Sequence, residues 1–321
     1  MVPLERHLLP LEPQPRERVW GGQRLHAAEP PIGEEWIAYG PSRVANGQFA
    51  GLTLDELAAK YGADLLGTGV SSRFGVRFPL LIKLLDCADW LSVQVHPDDD
   101  QAGRMVGPGE FGKTEAWYFI NAGAGAQIIA GVKPGVTRGE LVEAIRGGRI
   151  LEVAEILDVH DDEALLVPAG TLHALGPGLL LYEIQQASDT TYRVFDWDRP
   201  SSAGRELHIE ESIEVTRLVG PGELRTPRVP DDAGTSTVAD CEYFELNLVR
   251  VAPGVHPLAA DTTGRSFHLI TVIGGAAEIA CKSERLCLGR FETALVAGSA
   301  GSYEIRATDG QAVLLSASVP D

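Results

Sequence analysis

The chain has 321 residues, 44% of them hydrophobic and 22% charged, with 36 Gly and 20 Pro. That is a globular composition dense in turns, with room for one large domain or two packed modules. Lys and Arg total 27 against 45 Asp and Glu, and the net charge of -18 argues against phosphate-backbone binding, and so against nucleic acid as a partner.

The N-terminal stretch MVPLERHLLPLEPQPRERVW has no sustained apolar region ahead of a small-residue cleavage site, and Lys83, Asp86 and Asp89 interrupt the apolar stretch that follows residue 79. No membrane association is expected, and the location implied is cytoplasmic. Cys87, Cys241, Cys281 and Cys287 form no CxxC pair, which fits a reduced compartment and makes a cysteine-type zinc site or a disulfide framework unexpected.

In chain order, Thr53 opens LDELAAKYG with Glu56 three positions on, a capping-box pattern. Strand-like runs follow at 79–85, 91–96, 115–121 and 126–131. Thr137 opens a second short helix with Glu140 in the same relative place, and further strand-like runs lie at 164–168 and 179–184. The stretch 218–240 is rich in Pro, Gly, Asp and Thr and buries little apolar surface, so a module boundary is placed there. Beyond it, FELNLVRV, FHLITVIGG, ETALVAG and AVLLSASV alternate with turns. The expected fold is mainly β: a larger β-barrel module over 1–220 with short helices, and a smaller barrel over 221–321.

In LSVQVHPDD, alternation puts Gln94 and His96 on one strand face and Val93 and Val95 on the other. Asp98 to Asp100 after Pro97 read as a turn and helix start. Lys113 and Glu115 in GKTEAWYF again share a face, and PAGTLHAL delivers His173 after a Gly-containing turn. A Gln, a Glu and two His suit zinc or a neighbouring first-row metal. The other six His (His7, His26, His160, His208, His256 and His268) are expected in ordinary hydrogen-bonded roles. In YEIQQASDTTYRVFDWDR, Glu183, Asp189 and Arg193 reach the same barrel mouth, either as an ion pair or as catalytic groups; Asp196, Asp198 and Arg199 read as solvated charges.

Taken with Trp20-Gly21-Gly22 and Gly33-Glu34-Glu35-Trp36, these segments resemble the type I mannose-6-phosphate isomerase family in its short bacterial form, which has two cupin-like barrels. The likeness covers most of residues 18–200. It implies one Zn2+ per chain held by Gln94, His96, Glu115 and His173, with Lys113, Glu183, Asp189 and Arg193 around a sugar phosphate. It further implies interconversion of mannose 6-phosphate and fructose 6-phosphate through an enediol. The second barrel has no His in LVAGSAGSYEI where the first has His173, so no metal is expected there. Gly112 stands where some longer members carry a His.

Such a reaction needs a base, an electrophile for the developing oxyanion and a phosphate anchor. Lys113, Glu183 and Asp189 are the candidate bases, and Lys113 or Arg193 the candidate anchor. Two other readings compete. One is a metal-dependent cupin oxygenase, against which Gln94 argues because such sites favour His. The other is a sugar-phosphate-binding protein without turnover.

Overall fold

The computed structural model describes residues 4–200 and 205–320. It is mainly β, with antiparallel sheets and six short α-helices among the described residues. No helix there is long and apolar enough to cross a membrane. Two compact units emerge, but not by a single cut near residue 220. One comprises the described residues of Met1–Gln14, Trp36–Lys83 and Thr226–Asp321, the other Pro15–Glu35 and Leu84–Arg225. The expected boundary missed this because strand pairing between distant segments, which leaves no mark on local composition, brings the N-terminal strand into a sheet with the last hundred residues.

In the first unit Leu8–Pro10 pairs with Thr293–Val296, which pairs with His268–Cys281, then Ser302–Ser318, Glu245–Val251 and Ala233–Asp240, all antiparallel. Leu8, Val251, Ile270, Val272, Ile279, Ile305 and Leu314 make its buried core. Alternation of apolar positions drives that burial, each such side chain contributing on the order of 1.5–3 kcal/mol. Helix Leu54–Tyr61 begins at the expected capping box: Thr53 Oγ1 accepts the Glu56 N–H at 3.1 Å, and Glu56 Oε2 accepts the Thr53 N–H at 2.8 Å.

The second unit holds two sheets. One is ordered Tyr192–Phe195, Val93–Val95, His173–Leu175, Gln127–Val132, Ala154–Asp158. The other places Leu179–Gln186, Glu115–Ala122 and Ala164–Val167 side by side, with the part of strand Leu80–Cys87 from Leu84 onward next to Leu179–Gln186. Trp117, Phe119, Leu165 and Leu181 from the latter pack against Ile128, Ala130 and Leu175 from the former. The five-stranded sheet is apolar on its other face too, where Val93, Val95, Ile129 and Val194 meet Leu141, Ile145 and Val215. Those last three belong to helices Arg138–Arg146, opened by the expected Thr137/Glu140 box, and Ile209–Val215. A sheet covered on one side by helices and on the other by a second sheet leaves its inward positions for the site.

Asp98 caps helix Asp99–Met105 in a box with Gln101, as the acidic run implied. Gly112 lies hard against the start of that helix. A Cβ on it would come within 2.6 Å of the Asp98 and Asp99 backbone, so no larger residue fits unless the helix start moves. All four cysteines are free thiols, Cys87 and Cys281 buried.

Two predictions concern stability. Gly112→Ala should lower it by about 1–3 kcal/mol, the usual cost of overpacking; a urea midpoint equal to wild type would show that the helix start yields freely. In the first unit, His268 Nδ1 lies 2.7 Å from the Tyr303 hydroxyl. Burial pushes the His268 pKa down to about 4, against the opposing pull of Asp261. A depressed pKa means that the unfolded chain takes the proton first, so this histidine's contribution is intact above about pH 6.5 and is lost as pH falls towards 4. Melting curves between these pH values should therefore fall less steeply for His268→Gln than for wild type; parallel curves would exclude the coupling.

Candidate metal centre

Strand Val93–Val95 lies between His173–Leu175 and Tyr192–Phe195, with Gln94 in register with both His173 and Arg193. Register partners share a sheet face, so alternation carries Gln94, His173 and Arg193 inward together. His96 continues the same face past the strand end. From the opposing sheet comes Glu115, the first residue of its strand.

The turn before His173 is built by its sequence. The Thr171 N–H bonds the Pro168 carbonyl at 3.1 Å and Gly170, the third residue of that turn, has φ +84°, the type II geometry that favours Gly there. The Gly170 N–H in turn bonds the His96 carbonyl at 2.9 Å, tying the two histidine segments together.

His96, Glu115 and His173 are all buried, and each offers one ligand atom within 4.8 Å of the others. His96 Nδ1 is 2.9 Å from the Thr190 carbonyl oxygen, and His173 Nδ1 is 2.8 Å from that of Thr171. A carbonyl only accepts, so both rings carry their proton on Nδ1 and present the Nε2 lone pair to the centre. Burial pushes the His173 pKa below the ordinary imidazole range despite the Glu115 charge, which keeps the ring neutral and able to ligate. Its Nε2 lies 3.3 Å from Glu115 Oε1, and His96 Nε2 lies 3.5 Å from Glu115 Oε2. Tetrahedral coordination at 2.0–2.1 Å sets ligand atoms about 3.3 Å apart, close to each of these two distances, which run to different oxygens of the one carboxylate.

The Gln94 amide is 3.2 Å from His173 Nε2, and a half-turn of that amide presents Oε1 to the same place. Lys113 Nζ lies 2.9 Å from His96 Nε2 and 3.0 Å from Glu115 Oε2, with 3% of the residue exposed. The donor set thus draws an internal cation onto the lone pairs that a divalent ion would claim. Among the described residues it is the cluster with metal-ligand chemistry.

The remaining expected site residues are less uniform. Glu183 is buried and accepts the Trp117 indole N–H at 3.1 Å; the Trp117 ring stands edge-on to His173 with centroids 5.5 Å apart. Arg193 is half-buried and donates to the Glu206 carbonyl at 3.0 Å. Burial and nearby Arg205 lower its pKa. Asp189 is exposed, outside the buried cluster.

One expectation needs correcting. Asp196 is not a solvated charge: it is 5% exposed and binds Arg205 at 2.5 and 2.8 Å and Arg199 at 3.1 Å. Burial works to raise its pKa, but the two guanidinium groups outweigh it and hold the carboxyl below its usual range. Sequence reasoning also missed Trp117, which alternation from Glu115 places on the inward face, and the Thr171 and Thr190 carbonyls, which leave no side-chain signal.

A model of the phosphomannose isomerase type I catalytic domain matches residues 8–110. A mannose-6-phosphate isomerase from Streptococcus mutans is 35% identical, over 92% of this chain and 93% of its own length. The crystal structure of the mannose 6-phosphate isomerase from Bacillus subtilis is 30% identical with a TM-score of 0.85, covering 97% of this chain and 99% of that one. A zinc-bound mannose 6-phosphate isomerase structure, 16% identical, shares the fold with a TM-score of 0.76 over 97% of this chain and 99% of its own. With its antiparallel sheets, its buried His–Glu–His cluster and relatives matched nearly end to end, the chain belongs to the type I mannose-6-phosphate isomerase family.

Proposed function

We propose that this protein interconverts mannose 6-phosphate and fructose 6-phosphate at a zinc centre formed by His96, Glu115 and His173, with Gln94 as the fourth protein group. The observation that carries the reading is the pair of Nδ1–carbonyl contacts, which aims both Nε2 lone pairs at the Glu115 carboxylate. Two nitrogens, a carboxylate and an amide oxygen suit zinc better than calcium or magnesium, which take more oxygens. When bound, zinc supplies a Lewis acid that stabilises negative charge on substrate oxygen.

The chain's own side chains do the rest. Aldose–ketose interconversion moves a proton between C1 and C2 through an enediol. We assign that transfer to Lys113, because its Nζ reaches two of the ligand atoms from a buried position. Glu183 is held to the Trp117 indole and supports the wall behind His173. Arg193, in register with Gln94 and half-exposed on the inward face, is assigned to the phosphate. Asp189, on the exposed turn before it, is left to contact the substrate's outer hydroxyls.

A coupled assay on chelator-treated protein tests the reading: turnover of mannose 6-phosphate should return as zinc is added, saturating near one ion per chain. Folded, zinc-loaded protein without turnover would instead favour a sugar-phosphate-binding role. Glu115→Ala and His173→Ala should lose zinc and activity together. Lys113→Ala should retain zinc and lose activity, and a variant stripped of metal would show that the separation of roles is wrong.

A further inference from the structure

Lys113 lies just outside the regular sheet. Main-chain pairing between Glu115–Ala122 and Leu179–Gln186 ends at Gln185 opposite Glu115. One residue further out, the Gln186 N–H still bonds the Thr114 carbonyl at 3.2 Å, but the Thr114 N–H is met by a side chain, Gln186 Oε1, at 2.9 Å. The other end of that amide is also used. Gln186 Nε2 donates to Asp99 Oδ1 at 2.8 Å, and the same oxygen accepts the Gly112 N–H at 2.6 Å.

Lys113 is therefore bracketed. The residue before it is held by Asp99, the residue after it by Gln186, and its own N–H by the Pro97 carbonyl at 2.9 Å. Gln186 is 4% exposed. Its amide faces an N–H on one side and a carboxylate on the other, so neither a flip nor a carboxylate in its place satisfies both partners.

We infer that Gln186 is a positioning residue for Lys113, setting the backbone from which the ammonium reaches His96 and Glu115. This rests on the reading of Lys113 as proton carrier, but the placement of Lys113 can be measured without turnover. Gln186 touches none of the three ligating side chains in the contacts described, so its loss should act on Lys113 and spare the metal.

The test compares Gln186→Leu with wild type and with the pair Gln186→Glu and Gln186→Glu/Asp99→Asn. In the double variant the amide introduced at position 99 can donate to the carboxylate introduced at position 186, which removes the opposition of two carboxylates. The link between positions 186 and 99 is thereby restored with its polarity exchanged, at the expense of the Gly112 N–H, which bonds the same Asp99 oxygen in wild type. Acylation of the five lysines, mapped by peptide mass spectrometry, reports the local opening around each one. In Gln186→Leu, labelling of Lys113 should rise about fivefold or more relative to Lys60, Lys83, Lys133 and Lys282. Its kcat should fall about tenfold, with KM within about twofold and zinc retained. Gln186→Glu should behave likewise, and the double variant should recover part of both readouts.

Labelling and kcat near wild type in Gln186→Leu would overturn the inference, as would loss of zinc, which would mean that the residue serves the ligands instead. Should Gln186→Leu not fold, the contrast between Gln186→Glu and its Asp99→Asn partner decides, since equal behaviour of those two refutes the bracket. Absence of wild-type turnover would sink the proposed function alone, because the labelling contrast stands without it.

Discussion

An imidazole has two nitrogens, and which one is free to bind is decided by what holds the other. Here the decision falls to two main-chain carbonyls, those of Thr171 and Thr190. Neither can donate, so neither lets the proton move to the inward nitrogen. The carbonyls sit on two separate turns, the one before His173 and the one after Gln186. Everything else in the centre depends on those turns being in place: the spacing of the lone pairs, the orientation of the rings 4.7 Å apart, and the carboxylate shared between them.

The sheet arrangement supplies that placement at little cost. One strand, Val93–Val95, feeds valines outward to a helix-backed apolar layer and its glutamine inward to the cluster. A one-residue slip would exchange those faces, burying valine at the centre and amide among the helices. Both faces are occupied by groups that cannot trade environments, so packing and chemistry enforce the same register. The consequence is a site whose precision comes from the ordinary hydrophobic sorting of the strand.

Much of this was legible in the chain. Alternation placed Gln94 with His96 and Lys113 with Glu115, and the Pro–Gly turn before His173 follows from backbone preference alone. What stayed hidden depends on how the chain folds back on itself or on a main-chain atom. Asp196 reads as a surface charge until Arg205 and Arg199 are seen to enclose it. The sequence does not show that Glu183 accepts the Trp117 indole N–H, or that Asp189 lies on a solvent-facing turn. Gly112 reads as a missing histidine, whereas the start of the neighbouring helix leaves no room for any side chain there.

The discontinuous first unit also bears on biosynthesis. Its N-terminal strand, Leu8–Pro10, finds its partner strand in Thr293–Val296, more than 280 residues later. On a ribosome adding about 5–20 residues each second, that strand waits tens of seconds with its apolar side chains unburied. The segment Leu84–Arg225 of the unit that holds His96, Glu115 and His173, by contrast, has emerged before Thr293–Val296 is made. The order of maturation is therefore reversed relative to the order of translation: Leu84–Arg225 can organise before the sheet that holds Leu8–Pro10 is complete.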